Sequence, residues 1–186
     1  MKNLVYGVGV NNRKYEATTN GKNNKEYSLW QTMMQRCYDK KFHFKNPSYA
    51  NCSVSDNFKD FSSFYEWCKN QIGFNVSGWQ LDKDILIKDN NIYSEDFCCF
   101  VPKEVNCFFI DRRACRGIYP IGVCFDNISR KFMVRCCTNG KRKTLGRFDD
   151  VNDAFLCYKK YKEAQCKELA NKWREQIDVR VYDELS

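Results

Sequence analysis

Histidine and proline are scarce in this chain of 186 residues: His43 stands alone, there are three prolines, and no C-x-x-C pair occurs anywhere. These absences argue against a zinc knuckle, which takes its four ligands from closely spaced cysteines and histidines. No apolar run reaches the roughly 18 residues that cross a bilayer. The opening MKNLVYGVGVNNRK also lacks the long apolar core of a secretory signal. A cytoplasmic protein with no membrane partner is therefore expected. Twelve cysteines are nonetheless present, with Cys98 beside Cys99 and Cys136 beside Cys137. Adjacent strand residues point to opposite faces, so neither pair readily chelates one ion. In a reducing compartment these thiols are expected to act as small apolar core residues.

Charge is abundant but uneven. Residues 111–148 carry ten basic and two acidic side chains, whereas residues 1–110 carry 14 and 12, and residues 149–186 carry 7 and 9. A basic surface this local is the electrostatic footprint of a polyanion partner, with nucleic acid the default. Hydrophobic residues make up 43% and aromatics 16%, enough for a packed core.

The first 25 or so residues predict an extended arm around the apolar piece at 4–10. SLWQTMMQRCYDK, opened by Ser28, predicts an amphipathic helix. A loop is expected next, and FKDFSSFYEWCKNQ then predicts a second helix that stops at Gly73. A strand is expected over 81–87, a turn at Asp89-Asn90-Asn91, an irregular return over 93–100, and a short helix with Pro102 in its first turn. The polar, basic stretch 111–117 is the expected linker between a module at 1–110 and a module at 118–186. In the second module GVCFDNISRKFMVRCCTNGKRKTLGRFDD predicts three antiparallel strands, with Asn139-Gly140 as a two-residue hairpin turn. Phe132, Val134 and Cys136 alternate with Lys131, Met133, Arg135 and Cys137, and on the third strand Arg142 and Thr144 stand opposite the apolar side. Asp149 or Asp150 caps a long helix whose Ala154, Phe155, Tyr158, Tyr161, Cys166, Leu169 and Trp173 form the packing stripe. The expected fold class is α+β: a helical and ββα-like module, then a three-stranded antiparallel sheet packed on a long helix.

One face of that sheet is left open and basic. An open three-stranded sheet fits a DNA major groove, where guanidinium groups bind phosphates or pair bidentately with guanine. Candidate DNA-binding residues are Arg130, Lys131, Arg135, Lys141, Arg142 and Lys143, with Met133 and Thr144 for base edges or thymine methyls.

The run GVCFDNISRKFMVRCC…GKRKTLGRFDDVNDAFLCY resembles the plant ethylene-response-factor (Apetala-type) DNA-binding domain, through Gly122, Val123, Phe132, Leu145, Gly146, Phe148 and Ala154. The plant pattern has arginines and tryptophans where Cys124, Met133, Cys137 and Thr144 stand here, while Arg135 and Arg142 are in place. VYGVGVNN, YSLWQTMMQRCYD, FKDFSSFYEW, LDKDILIKDNNIYSEDFCCFVPKEVN and the terminal helix are similar to phage-encoded, free-standing HNH homing endonucleases that join such a domain to an HNH-like module. The resemblance implies residence in the cytoplasm of an infected bacterial host, double-stranded DNA as partner, and metal-dependent phosphodiester hydrolysis as the ancestral activity.

An HNH site needs a metal-bound unit with a histidine base that activates water. The resemblance aligns Asp82-Lys83-Asp84 with the strand that carries this base, so Lys83 takes the histidine position. It also aligns Asp96 with the orienting asparagine and Asn106 with the last metal ligand. Lysine is ordinarily protonated near neutral pH and serves as a base only where its surroundings favour the free amine. Asp82, Asp84 and Asp96 are the candidate ligands for Mg²⁺ or Mn²⁺. Alternatively, Asp82 and Asp84 cap strand ends or pair with Lys83 and Lys88. Nothing places His43, in KFHFKNP, near these residues. Gly117-Ile118-Tyr119 suggests a GIY-type nuclease, but the matching partner strand is missing.

Three functions stay open on the sequence. One is a sequence-selective duplex-DNA-binding protein, with or without nicking activity. Another is a DNA-binding regulator or an inhibitor of a host protein, acting through exposed aromatics at Trp67, Phe74 and Trp79. The last is RNA binding, since basic faces do not distinguish duplexes.

Overall fold

In the computed structural model, residues 4–110, 117–138 and 140–186 are described. Contacts divide the chain into two compact units, one of Met1–Asn106 with Glu175–Glu184, the other of Cys107–Arg174 with Leu185–Ser186. The linker positions 111–116 and Asn139 of the expected hairpin turn lie outside the described residues.

The first unit opens with a short hairpin, β1 (Thr18–Thr19) and β2 (Lys22–Asn23), then α1 (Lys25–Tyr38). This helix starts one turn before Ser28, whose N–H already donates to the Asn24 carbonyl at 2.9 Å. KFHFK is a helix instead of the expected loop. The Asp39 carboxylate accepts from the Lys41 N–H and caps α2 (Lys40–Lys45), and a 3-10 turn at Pro47–Tyr49 follows.

The single helix expected after β3 (Ser53–Val54) is two, α3 (Asp56–Lys59) and α4 (Phe61–Lys69). At Asp60 the backbone is extended, and the carboxylate accepts from the Ser62 and Ser63 N–H groups to start the second helix. The N-terminal arm supplies the bonds that the break frees: Val10 N–H donates to Lys59 C=O at 2.8 Å, and Phe61 N–H to Val10 C=O at 2.9 Å. Buried backbone groups must find partners, and a remote segment meets that need here.

Trp30, Phe58, Phe61 and Phe64 are wholly buried between these helices. Phe74 is buried in the same core, and Trp67 and Trp79 pack against it. The aromatics that a host-protein interface would have used are therefore packing residues. Gly73, at φ +83°, lies under the Trp79 ring, so a Cβ there would sit 1.9 Å from a ring carbon. Gly73→Ala is expected to cost about 2 kcal/mol from left-handed strain and overpacking. A lowered urea midpoint with unchanged slope checks this.

β4 (Trp79–Asp82) is shorter than the strand expected over 81–87, because Asp82 folds the chain into a turn. β5 (Ile92–Tyr93) pairs parallel with β3, and β6 (Cys99–Pro102) pairs antiparallel with β4. Pro102 closes β6, and α5 (Lys103–Phe109) begins only after it.

In the second unit β7 (Val123–Asp126), β8 (Lys131–Thr138) and β9 (Lys141–Phe148) form the antiparallel sheet in that order, followed by α6 (Val151–Trp173). Asp150 caps α6 by accepting from the Asn152 and Asp153 N–H groups. The protein is thus α+β, with a three-stranded antiparallel sheet and a long C-terminal helix. The pairing slips once: Val134 faces Gly146 while Arg135 faces Thr144, leaving Leu145 as the extra residue of a bulge. α7 (Val179–Leu185) comes last, and residues 175–184 group with the first unit, where Arg180 donates to the Asp96 carbonyl at 2.7 Å.

Cys37, Cys52, Cys68, Cys98, Cys99 and Cys136 are buried. Burial pushes the Cys37 and Cys99 thiols up to about 12, which suits core packing and not nucleophilic chemistry. Among the described residues, no helix is long and apolar enough to cross a membrane.

Candidate functional site

α6 decides which side of the sheet is open. The Cys136 thiol donates to Gln165 on α6, and Gly122 stands against the Tyr158 ring, where a Cβ would fall 2.0 Å away. Cys136 shares its face with Val134, which is fully buried. Alternation along β8 then sends Arg135 and Cys137 to the other face, where both are exposed. Their cross-strand partners are Thr144 and Arg142, also exposed. Lys141 is exposed at the start of β9, and Arg130 is exposed in the β7–β8 turn at φ +55°. A cleft of about 420 Å³ adjoins the two arginines, with Tyr119, Pro120, Gly122 and Cys137 in its wall.

Three expected DNA contacts have packing or partners that the sequence does not display. Met133 is only 7% exposed, so it packs and offers little to a base edge. Lys143 pairs with Cys136 and holds its ammonium over the Tyr161 ring of α6 at 5.2 Å, on the helix-covered side. Lys131 is bound to Asp149 at 3.1 Å. Sequence reasoning passed over Arg147. It faces Met133 in the register and reaches Asp126 at 3.3 Å. Alternation counted straight along the third strand misassigns it, because the bulge at Leu145 shifts the phase. Arg135, Arg142 and Thr144 thus form the shared surface, with Lys141 and Arg130 exposed at the ends of their strands.

The acidic segment is built as a turn. One Asp82 carboxylate oxygen accepts from the N–H groups of Asp84 and Ile85, at 2.7 and 2.8 Å. Lys83, 6% exposed, donates to the Asp84 carboxylate and the Asn90 carbonyl and lies over the Tyr93 ring. The Asn90 side chain closes the loop, donating to the Lys83 and Ile92 carbonyls and accepting from the Ile92 N–H. Asp96 is exposed, and Asn106 donates to Gln80 of β4 at 2.9 Å. Asp82, Lys83 and Asp84 are together, as neighbours must be, but Asp96 does not join them in an acidic cluster. Among the described residues no three His, Cys, Asp or Glu side chains gather where they could hold a metal ion. Asp82 is engaged by backbone N–H groups through one oxygen, and Asp84 by Lys83. The Lys83 amine is thus held between a carboxylate and a carbonyl. The lone histidine, His43, donates from Nε2 to the Arg36 carbonyl at 2.8 Å.

Burial raises the Asp82 carboxyl above its ordinary range, against the lowering effect of its two backbone N–H donors. An unfolded aspartate titrates near about 3.9. Between that pH and the higher folded value, the folded state holds the extra proton, so this group's contribution falls as pH rises through the window. Asp82→Asn keeps an oxygen for both N–H donors and removes the partly buried charge. Its stability relative to the parent is expected to increase from pH 3.5 to pH 7, as read from urea midpoints. A relative stability that stays flat or falls from pH 3.5 to pH 7 would refute the burial account. No family model, curated protein or solved structure matches this chain.

Proposed function

We propose that the protein is a sequence-selective, double-stranded-DNA-binding protein of phage type that docks the open face of its three-stranded sheet into the major groove. The observation that carries this reading is the cross-strand register. Arg135 beside Thr144 and Cys137 beside Arg142 make a four-residue exposed surface on the side away from α6. Two guanidinium groups one strand apart are suited to bidentate contact with guanine, and the Thr144 methyl to a thymine methyl. Lys141 and Arg130, at the ends of the strands, supply phosphate contacts. The resemblance to the Apetala-type domain supports the same face, since Arg135 and Arg142 are the residues it shares there.

The HNH-like resemblance of the first 110 residues reflects ancestry without the cleavage chemistry. That reading rests on contacts already formed: Asp82 is spent on a turn, Lys83 on an ion pair, and His43 on a helix carbonyl. Selection from random duplex oligonucleotides should enrich a defined motif. Supercoiled plasmid carrying that motif should stay closed-circular with Mg²⁺ or Mn²⁺. Nicking that Asp82→Ala with Asp84→Ala abolishes would restore the nuclease reading. A preference for single-stranded RNA over duplex DNA in the sheet-dependent binding would sink the groove-docking reading.

A further inference from the structure

We infer that the first unit carries a nucleic-acid contact of its own, in which Phe44 stacks on an unpaired nucleobase while Lys40, Lys41 and Lys45 neutralise the flanking phosphates. It goes beyond the duplex-docking reading and uses different residues. On α2, positions 40, 41, 44 and 45 recur at helical spacing and share one side. All four side chains are exposed, Phe44 at 90%. The opposite side of α2 is committed to the protein. The Phe42 ring packs edge-on against Tyr49 at 5.6 Å, the His43 ring donates to the Arg36 carbonyl, and Asp39 caps the helix. Those anchors fix the roll of the helix, so Phe44 points to solvent as a consequence of the fold.

A lone exposed apolar side chain needs no explanation. Here the phenyl ring shares its side of the helix with three lysines, and although Asp39 neighbours Lys41 and caps the helix, no further acidic residue follows before Asp56. An aromatic face for a base and cations for its neighbouring phosphates are the two components of single-strand recognition. A lipid surface fits less well, because one ring on a six-residue helix buries too little apolar area for a stable interfacial anchor. A base inside a duplex already stacks on its neighbours, so the ligand is a single strand or a base extruded from a duplex.

The test uses the full chain with a short single-stranded oligonucleotide carrying a central 2-aminopurine, followed by anisotropy and by base emission. Phe44→Ala is expected to raise Kd about tenfold, the scale of one base–aromatic stack, and to remove the emission change. Phe44→Trp should preserve both. Replacing Lys40, Lys41 and Lys45 together by glutamine should flatten the slope of log K against log salt by about 2, at roughly 0.7 per phosphate contact. Unchanged single-strand affinity and emission in Phe44→Ala would overturn the inference. So would a loss confined to phosphatidylserine vesicles, which would assign the patch to a membrane. Duplex binding that depends on Arg135 and Arg142 should be unaffected by Phe44→Ala. If the parent binds no duplex yet stacks the single strand, the docking reading falls and this one stands.

Discussion

Trp30→Ala should destabilise the first unit by about 3–5 kcal/mol, the range for deleting a large aromatic from a packed core. Trp30 has no exposed surface, and its rings meet Tyr27 and Phe61 at centroid distances of 5.7 and 5.5 Å. Its indole N–H donates to the Phe58 carbonyl at 2.7 Å. The residue therefore ties α1 to α3 by a hydrogen bond and to α4 by ring packing. Gly9 of the N-terminal arm also lies against it, since a Cβ there would be 2.9 Å from the indole. The alanine variant loses the ring contacts, leaves a cavity, and strands a carbonyl at a helix end. Trp30→Phe separates these effects: it keeps most of the volume and loses the donor, for about 1–3 kcal/mol. Urea unfolding followed by circular dichroism measures both. A loss below 1 kcal/mol for the alanine variant would show that the core closes over the gap, contrary to the close packing described.

Arg135→Ala combined with Arg142→Ala should nearly abolish selective duplex binding. Each substitution should cost about 1–3 kcal/mol if the guanidinium groups read bases, with relaxed preference at the positions they contact. The two arginines lie on neighbouring strands with one cross-strand pair, Cys136 and Lys143, between them, so their effects are expected to couple and not simply add. Lys143→Ala is the informative control. Its ammonium sits over Tyr161 on the helix-covered side, so it should leave sequence preference intact. Lys141→Ala should weaken all duplexes alike and reduce the salt slope by about 0.9, as one lost phosphate contact does. Equal loss for Lys143 and Arg142 would show that the charge acts as a diffuse field, and the register argument would fail.

Much of the fold was legible because its signals are local. Apolar spacing marked α1 and α6, Asp150 capped the long helix as expected, and alternation on β8 correctly separated Arg135 from Cys136. The misreadings share one cause. The break at Asp60 depends on Val10, some fifty residues away in the chain, and nothing near Asp60 announces that bond. α2 was read as a loop because KFHFK has no helical apolar stripe, one of its aromatics being turned outward. Trp67, Phe74 and Trp79 looked available only because burial is a property of three-dimensional neighbours. At the candidate sites, the segment Asp82-Lys83-Asp84 displays its charges in the sequence but not its hydrogen bonds, and those bonds decide what the charges do.

By itself the sequence determined where the positive charge lies, that the chain is α+β with a three-stranded sheet ahead of a long helix, and which residue types that sheet can show. Composition and periodicity suffice for this, since charge is additive along the chain and side-chain direction follows backbone period. Only the tertiary structure decided which basic residues share the open face, because the bulge at Leu145 shifts the phase of β9 and α6 covers one side. Only it showed that Lys83 is a buried, bonded cation and that Phe44 faces solvent. Exposure and hydrogen bonding depend on what packs against a residue, and that is settled by segments far away in the chain.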